Sequence, residues 1–293
     1  MANLIDLRRR IRSVRNTQQV TKAMKTVATA KYKKASRTIA EGRPLWHSAP
    51  DAAARLADWA GSSAHPLLDV REEHSVDVLI LTSDKGLCGA FNANLLAKTV
   101  EFLKSREAGT RIRLELIGKK AAVFFKRLDY PVGRVYAEHT DRLKAAELKT
   151  LAAEMMERFL FRETDAVYIA HNEFKSVLAP KIMINRLLPV SAFAAAGGGA
   201  AAESEYPAVP DWEPRPGPVV ASLWPRYVEA QVAHAYAESQ ASEQAARMMA
   251  MDSASNNAED LIEGLTLNLN KARQAGITKE LLEIMTAVEA LKS

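Results

Sequence analysis

The chain of 293 residues has only one cysteine, Cys88. A lone thiol excludes an internal disulfide framework and any zinc site built from cysteines, and it fits a reducing compartment. The six histidines are scattered, with no metal-ligand spacing such as H-E-x-x-H. Aromatic residues make up only 6% while alanine is plentiful, which favours helices packed through small side chains. No run of about 18 apolar residues occurs, so no bilayer span is expected. The opening stretch MANLIDLRRRIRSV lacks the continuous apolar core of a signal peptide. It is arginine-rich and acid-poor like a mitochondrial presequence, but the pattern runs on into a long helix, so it is expected to belong to the mature chain.

What is present is an ordinary soluble composition, 48% apolar and 26% charged, long enough for one or two domains. The charge is uneven. Residues 1–43 hold twelve Lys or Arg against two acids, Asp6 and Glu41, whereas residues 226–293 hold six basic against ten acidic residues. The overall charge of +5 thus conceals a basic beginning and an acidic end.

Three segments follow from periodicity. Residues 1–58 read as one long helix, with Pro44 and Pro50 predicting a kink or break near position 43. Its seam runs Leu4, Leu7, Ile11, Val14, then Gln18 and Thr21, while a neighbouring stripe of Val20, Met24 and Val27 is expected to take over. Residues 75–190 change period: VDVLILTS, RIRLELIG, DAVYIAHN and KIMINRLLPV are strands. Helices are expected between them over 92–107, 119–128 and 141–163, so a Rossmann-like α/β domain with mostly parallel strands is predicted. The last two strands are close enough for an antiparallel hairpin. Residues 191–218, rich in Ala, Gly and Pro, read as a linker. Residues 219–293 are again helical. Met248, Met251, Ser255, Ala258, Ile262, Leu265, Leu269, Ala272 and Gly276 keep three-four spacing, and after a one-residue slip Ile277, Leu281, Ile284, Val288 and Leu291 are expected to carry the seam to the end. Some seventy helical residues would span about 105 Å, too long for a small domain to enclose. The fold class is therefore a central α/β domain plus a long antiparallel coiled coil of the N- and C-terminal helices. The competing arrangement lays both helices on the surface of the α/β domain.

The stretch TSDKGLCGAFN, residues 82–92, places two glycines after a strand and before a helix, as in phosphate-binding loops. Neither G-x-x-x-x-G-K-[ST] nor G-x-G-x-x-G fits Gly86 and Gly89. His74, His139 and His171 carry no local signature that would activate Cys88. Residues Asp84, Lys85 and Gly86 are expected to turn the chain, and Asn92 to cap the next helix. No catalytic constellation, metal set or cofactor fingerprint emerges elsewhere: Glu259 and Asp260 fall on different helix faces, and Glu280 and Glu283 suit a solvated face. The basic first helix leaves a nucleic-acid-binding coiled coil as an alternative, and the glycine loop leaves a nucleotide-binding α/β enzyme as another.

Three stretches resemble the γ-subunit family of F-type ATP synthases: RRRIRSVRNTQQVTKAMKTVATAKYKKA (8–35), SDKGLCGAFN (83–92) and ASEQAARMMAMDSASNNAEDLIEGLTLNLNKARQAGITKELLEI (241–284). The resemblance implies a rotor. The paired helices would turn inside a ring of α and β subunits, with the α/β domain against the ε subunit and the c ring. The chain would have no catalytic site and no cofactor of its own, no nucleic-acid partner, and contact with the bacterial inner membrane only through the complex, on its cytoplasmic face. It further implies that Met24, Lys25, Arg273, Gln274 and Thr278 meet the β subunits. Ser83, Asp84, Lys85, Gly86, Leu87, Cys88 and Gly89 would form the family's structural loop motif. Gly276 and Thr286-Ala287-Val288 depart from the family's usual residues.

Overall fold

The computed structural model describes residues 4–59, 65–106, 109–137, 143–176, 181–190 and 216–292. The expected linker therefore lies, up to residue 215, outside the described residues, as does His139. The chain divides into two compact units, Met1–Thr29 with Arg247–Ser293, and Ala30–Ala246. Two long helices contribute to both: α1 (Leu4–Trp59) and α5 (Pro216–Lys292). The predicted break near residue 43 is absent, since α1 runs through Pro44 and Pro50. A proline removes one backbone hydrogen bond and bends a helix without having to end it.

The larger unit contains a five-stranded sheet in the order β3-β2-β1-β4-β5. Its strands are β1 (Ser75–Leu81), β2 (Arg111–Ile117), β3 (Val132–Tyr136), β4 (Ala166–Glu173) and β5 (Lys181–Leu188). The first four run parallel, and β5 pairs antiparallel with β4 as the short connection predicted. The central strands are buried on both faces, which is why they read as near-continuous aliphatic runs. Strand β3 was not foreseen: it is short and largely exposed, and its sequence VGRVY contains a glycine.

Helices α2 (Phe91–Lys104) and α3 (Lys119–Phe125) supply Leu95, Leu103, Ala121 and Phe125 to one face, over Val78, Ile80, Leu114 and Leu116. Helix α4 (Ala145–Leu160) and the early part of α5 cover the other. Leu151, Met155, Phe159, Trp224, Val228 and Val232 pack there on Leu79, Leu81, Ile117 and Ile169. Glu147 bonds back to the amide of Lys144 at 2.7 Å and starts α4, while Arg162 in the left-handed region, φ 60°, ends it. The crossover from β1 through α2, β2, α3 and β3 to β4 changes direction between β1 and β4. In doubly wound sheets that is where a crevice opens at the carboxyl ends of the strands.

Candidate functional site

The carboxyl-end crevice is filled by the chain's own helix. Ser239 of α5 donates to the Leu81 carbonyl at the end of β1 (3.5 Å), and Ser242 to the Asn172 carbonyl in β4 (3.2 Å). Glu238 accepts from the amide of Phe174 at 2.7 Å, and all three α5 side chains are buried. These polar residues satisfy strand-end groups that a ligand would otherwise meet.

The glycine loop beside the crevice is closed on itself. Ser83 donates through Oγ to the Lys85 carbonyl at 2.7 Å and through its amide to Asn92 Oδ1 at 3.0 Å. Asn92 Nδ2 returns a bond to Ser83 Oγ (2.8 Å) and another to Cys88 Sγ (3.2 Å). Asn92 is therefore not the expected cap: the cap position is Ala90, without a side-chain bond, and Asn92 inside the first turn cross-braces the loop. Asp84 accepts from the Lys119 amide at 2.9 Å, joining this loop to the next strand-to-helix turn. That turn needs Gly118, at φ 103°, because a Cβ there would run into the Thr82 carbonyl. Cys88 is buried, whereas Leu87 stands 62% exposed at φ 61°, a conformation unusual for leucine. Gly89 also has a positive φ, and Gly86 faces the Lys120 side chain.

Two cavities open on the α4 and α5 face. The larger, about 620 Å³, is lined by Arg113, Glu115, Arg134, Glu154, Glu157 and Arg158 among others. Its arginines are already paired: Arg113 and Arg158 with Glu115, Arg134 with Glu154, and Arg158 also with fully buried Asp77 at 3.0 Å. Burial pushes the Asp77 carboxyl up to about 6, and Arg158 offsets only part of that. The smaller, about 260 Å³, is lined by His171, Met183, Tyr227 and His234 among others. Burial, and then the proximity of His234, lower His171 to about 4. Among the described residues no group of three or more His, Cys, Asp or Glu is placed to hold a metal ion, and no helix is long and apolar enough to cross a membrane.

In the smaller unit, α1 and α5 pair antiparallel. Thr21 and Ser255 share a buried hydrogen bond of 2.7 Å, Lys25 pairs with Asp252 at 2.5 Å, and Gln18 donates to Glu259 at 3.3 Å. On α1 the covered positions are Leu4, Leu7, Ile11, Val14, Gln18, Thr21, Met24, Lys25 and Ala28, and on α5 the expected series from Met248 to Gly276. Two expectations fail. Val20 and Val27 are 58% and 57% exposed, so their stripe does not replace the seam. The covered stripe of α5 also ends at Gly276: Ile277, Leu281, Ile284 and Val288 are exposed, as are Leu282 and Met285. The reason is geometric. In the register of the Thr21–Ser255 bond, Leu4 lies level with Ala272, so the later residues have passed the described start of α1.

Of the residues expected to meet a partner, Met24 and Lys25 are half-buried, and Lys25 is engaged with Asp252. Arg273, Gln274 and Thr278 are exposed, with the Thr278 hydroxyl donating to the Gln274 carbonyl at 3.0 Å. The structure thus separates them into a half-buried pair on the coiled coil and an exposed trio on α5 where its covered seam ends. Sequence reading missed the cross-helix polar pairs. Gln18, Thr21 and Ser255 were each visible as polar seam positions, but their opposition requires the register.

The family profile described as ATP synthase matches residues 3–291. An ATP synthase gamma chain of Anaeromyxobacter dehalogenans is 42% identical over 295 residues, covering 99% of this chain and all of that one. One of Pelotomaculum thermopropionicum is 38% identical, with full coverage of both. Among solved structures, a chain of the Euglena gracilis mitochondrial ATP synthase in an OSCP/F1/c-ring assembly superposes with a TM-score of 0.67. It is 21% identical, and the match covers 98% of this chain and 94% of that one, so it speaks for the fold. A rotor chain of the same enzyme gives 0.65 at 19% identity. Nothing in these matches supports a nucleic-acid role for the basic helix. With a profile match across nearly the whole sequence and full-length relatives near 40% identity, the chain belongs to the ATP synthase gamma-chain family.

Proposed function

We propose that this chain is the central-stalk rotor of a proton-translocating F-type ATP synthase. Its paired helices turn within a ring of α and β subunits, and its α/β domain bears on the ε subunit and the c ring. Torque passes through the chain between the membrane ring and the β subunits, where ATP is made or hydrolysed. The chain has no catalytic site of its own, and it is a peripheral subunit on the cytoplasmic face of a bacterial plasma membrane.

The observation that carries this reading is the C-terminal stretch of α5 beyond Gly276. Six large apolar side chains between Ile277 and Val288 are 47–68% exposed on a helix whose earlier seam is covered. Such a surface calls for a partner. Arg273, Gln274 and Thr278 adjoin it and supply polar contacts to β. Met24 and Lys25 supply a second level of contact, some twenty residues or about 30 Å lower along the coil. Flexible Met24 suits a surface that meets changing neighbours.

Reconstitution with α, β and ε subunits tests the proposal. The expected result is one complex of unequal stoichiometry whose ATPase activity requires this chain. Removal of residues 270–293, or Arg273→Ala with Gln274→Ala, should lower the coupling of hydrolysis to proton pumping. Failure of α and β to retain the chain would sink the reading.

A further inference from the structure

A shaft made of two helices must hold them at one height, and an apolar seam alone does not achieve that. In the observed register Leu7 lies level with Leu269, Ile11 with Leu265 and Val14 with Ile262. A slide of seven residues would again set aliphatic side chains against aliphatic side chains, because the seam repeats with that period. Three consecutive layers break the repetition: Gln18 with Glu259, Thr21 with Ser255, and Lys25 with Asp252. The middle layer is buried, Thr21 at 8% and Ser255 at 2% exposure. Each hydroxyl also lies within reach of a carbonyl of its own helix, Thr21 of Gln18 and Ser255 of Met251, so while one donates across the pair the other donates to its own helix. Sliding one heptad either way would bring Thr21 opposite Ile262 or Met248, and Ser255 opposite Ala28 or Val14. Each hydroxyl would then lose its cross-helix partner while remaining covered. Lys25 and Asp252 would also lose their pairing, although the slide in one direction sets Lys25 level with Glu259, so the Thr21–Ser255 layer is the one that discriminates against both slides.

We infer that the Gln18–Glu259, Thr21–Ser255 and Lys25–Asp252 layers are register-setting elements: they fix the axial position of α1 against α5. They thereby set the spacing between the contact level at Met24 and the one at Arg273 and Gln274. The consequence for coupling rests on the rotor reading, but the register itself does not. A single buried polar pair is a known means of selecting one coiled-coil register over others of similar stability.

The experiment places spin labels on the full-length chain, assembled with its α, β and ε subunits, at two exposed positions (Arg10→Cys and Ser253→Cys). Cys88, 1% exposed, is left in place. Pulsed electron resonance on the otherwise native chain is expected to give one distance. With Gln18→Leu, Thr21→Leu, Ser255→Leu and Glu259→Leu, a second population should appear, displaced by on the order of 10 Å, one heptad of rise. Proton pumping per ATP hydrolysed should fall in the same sample. Lys25→Asp alone should broaden the distribution, and adding Asp252→Lys should restore it, which loss of packing by itself would not explain. If the fourfold variant does not assemble, Thr21→Val with Ser255→Val is read in its place, with a smaller second population expected. A single unshifted distance in the assembled variant overturns the inference. If the unsubstituted chain fails to assemble with α and β, it is the rotor reading that falls, and the distances in the chain alone still decide the register.

Discussion

Asp77 and His171 are buried on the same face of the sheet, on neighbouring strands β1 and β4, and burial drives their titrations in opposite directions. Folding raises Asp77 from 3.8 to about 6, so between those values the folded chain holds more protons than the unfolded one. Stability from this group is lost as pH rises through the window. Folding lowers His171 from 6.5 to about 4, so its contribution is present above 6.5 and lost as pH falls towards 4. The two windows overlap, and the slopes oppose one another. Each shift of about two units corresponds to roughly 3 kcal/mol at most. The unaltered chain should therefore show a shallow change of urea midpoint between pH 6.5 and 4. Asp77→Asn should steepen the fall on acidification, whereas His171→Gln should turn it into a rise. Circular dichroism across a urea series at four or five pH values would decide. Parallel curves for all three proteins would mean that neither group titrates in the native state as its surroundings imply.

At the scale of elements, legibility in the sequence followed how completely an element is covered. Strands β1 and β4 announced themselves as VDVLIL and AVYIAH because both their faces are buried, and a buried strand has no reason to alternate. Strand β3 did not: Val132 and Val135 lie exposed at the sheet edge, and Gly133 is there because a Cβ would collide with the Glu115 carboxylate. On the long helices, three-four spacing located the seam from Leu4 to Thr21 and from Met248 to Gly276. The same apolar signal misled at Val20, Val27 and Ile277, because periodicity reports that a face is to be covered without saying by which chain. Of the candidate site, the exposed positions of Arg273 and Gln274 were legible from the seam's slip, whereas the ion pair of Lys25 with Asp252 depended on pairing across 227 positions of sequence. The early part of α5 carries a different lesson, since it packs against the sheet and α4, with His234 also stacked on Trp46 of α1 at 4.4 Å. Trp224, at 1% exposure, is the largest fully buried side chain there. Trp224→Ala should remove about 3–5 kcal/mol of stability. A matching drop in urea midpoint, with helical circular dichroism largely retained in the native baseline, is the expected reading. A change under 1 kcal/mol, the range typical of a surface position, would show that α5 is not held there.

For the molecule as a whole, the question is what the uncovered end of α5 does before and after assembly. Leu281, Leu282, Ile284 and Met285 are 56–68% exposed, and together with Ile277 and Val288 they form one broad stripe, an arc of about 160° at 100° per residue. A stripe that broad needs a partner surface along it, and the described part of α1 does not reach this far. If that partner is the ring of α and β subunits, the isolated chain carries an uncovered apolar surface and should self-associate as concentration rises. Leu281→Ser, Ile284→Ser and Met285→Ser together should leave the coiled seam untouched, since all three lie beyond Gly276. Sedimentation velocity over a tenfold or wider concentration range should then show the substituted chain remaining monomeric where the unsubstituted chain associates. In the presence of α and β the order should reverse: the unsubstituted chain enters the ring complex, and the substituted one enters it weakly or exchanges out. That reversal separates a fitted contact with the ring from simple stickiness. Loss of self-association with undiminished ring assembly would mean that the apolar end is covered by a second copy of the chain, and the torque-bearing contacts would have to lie lower on the coil, at the level of Met24.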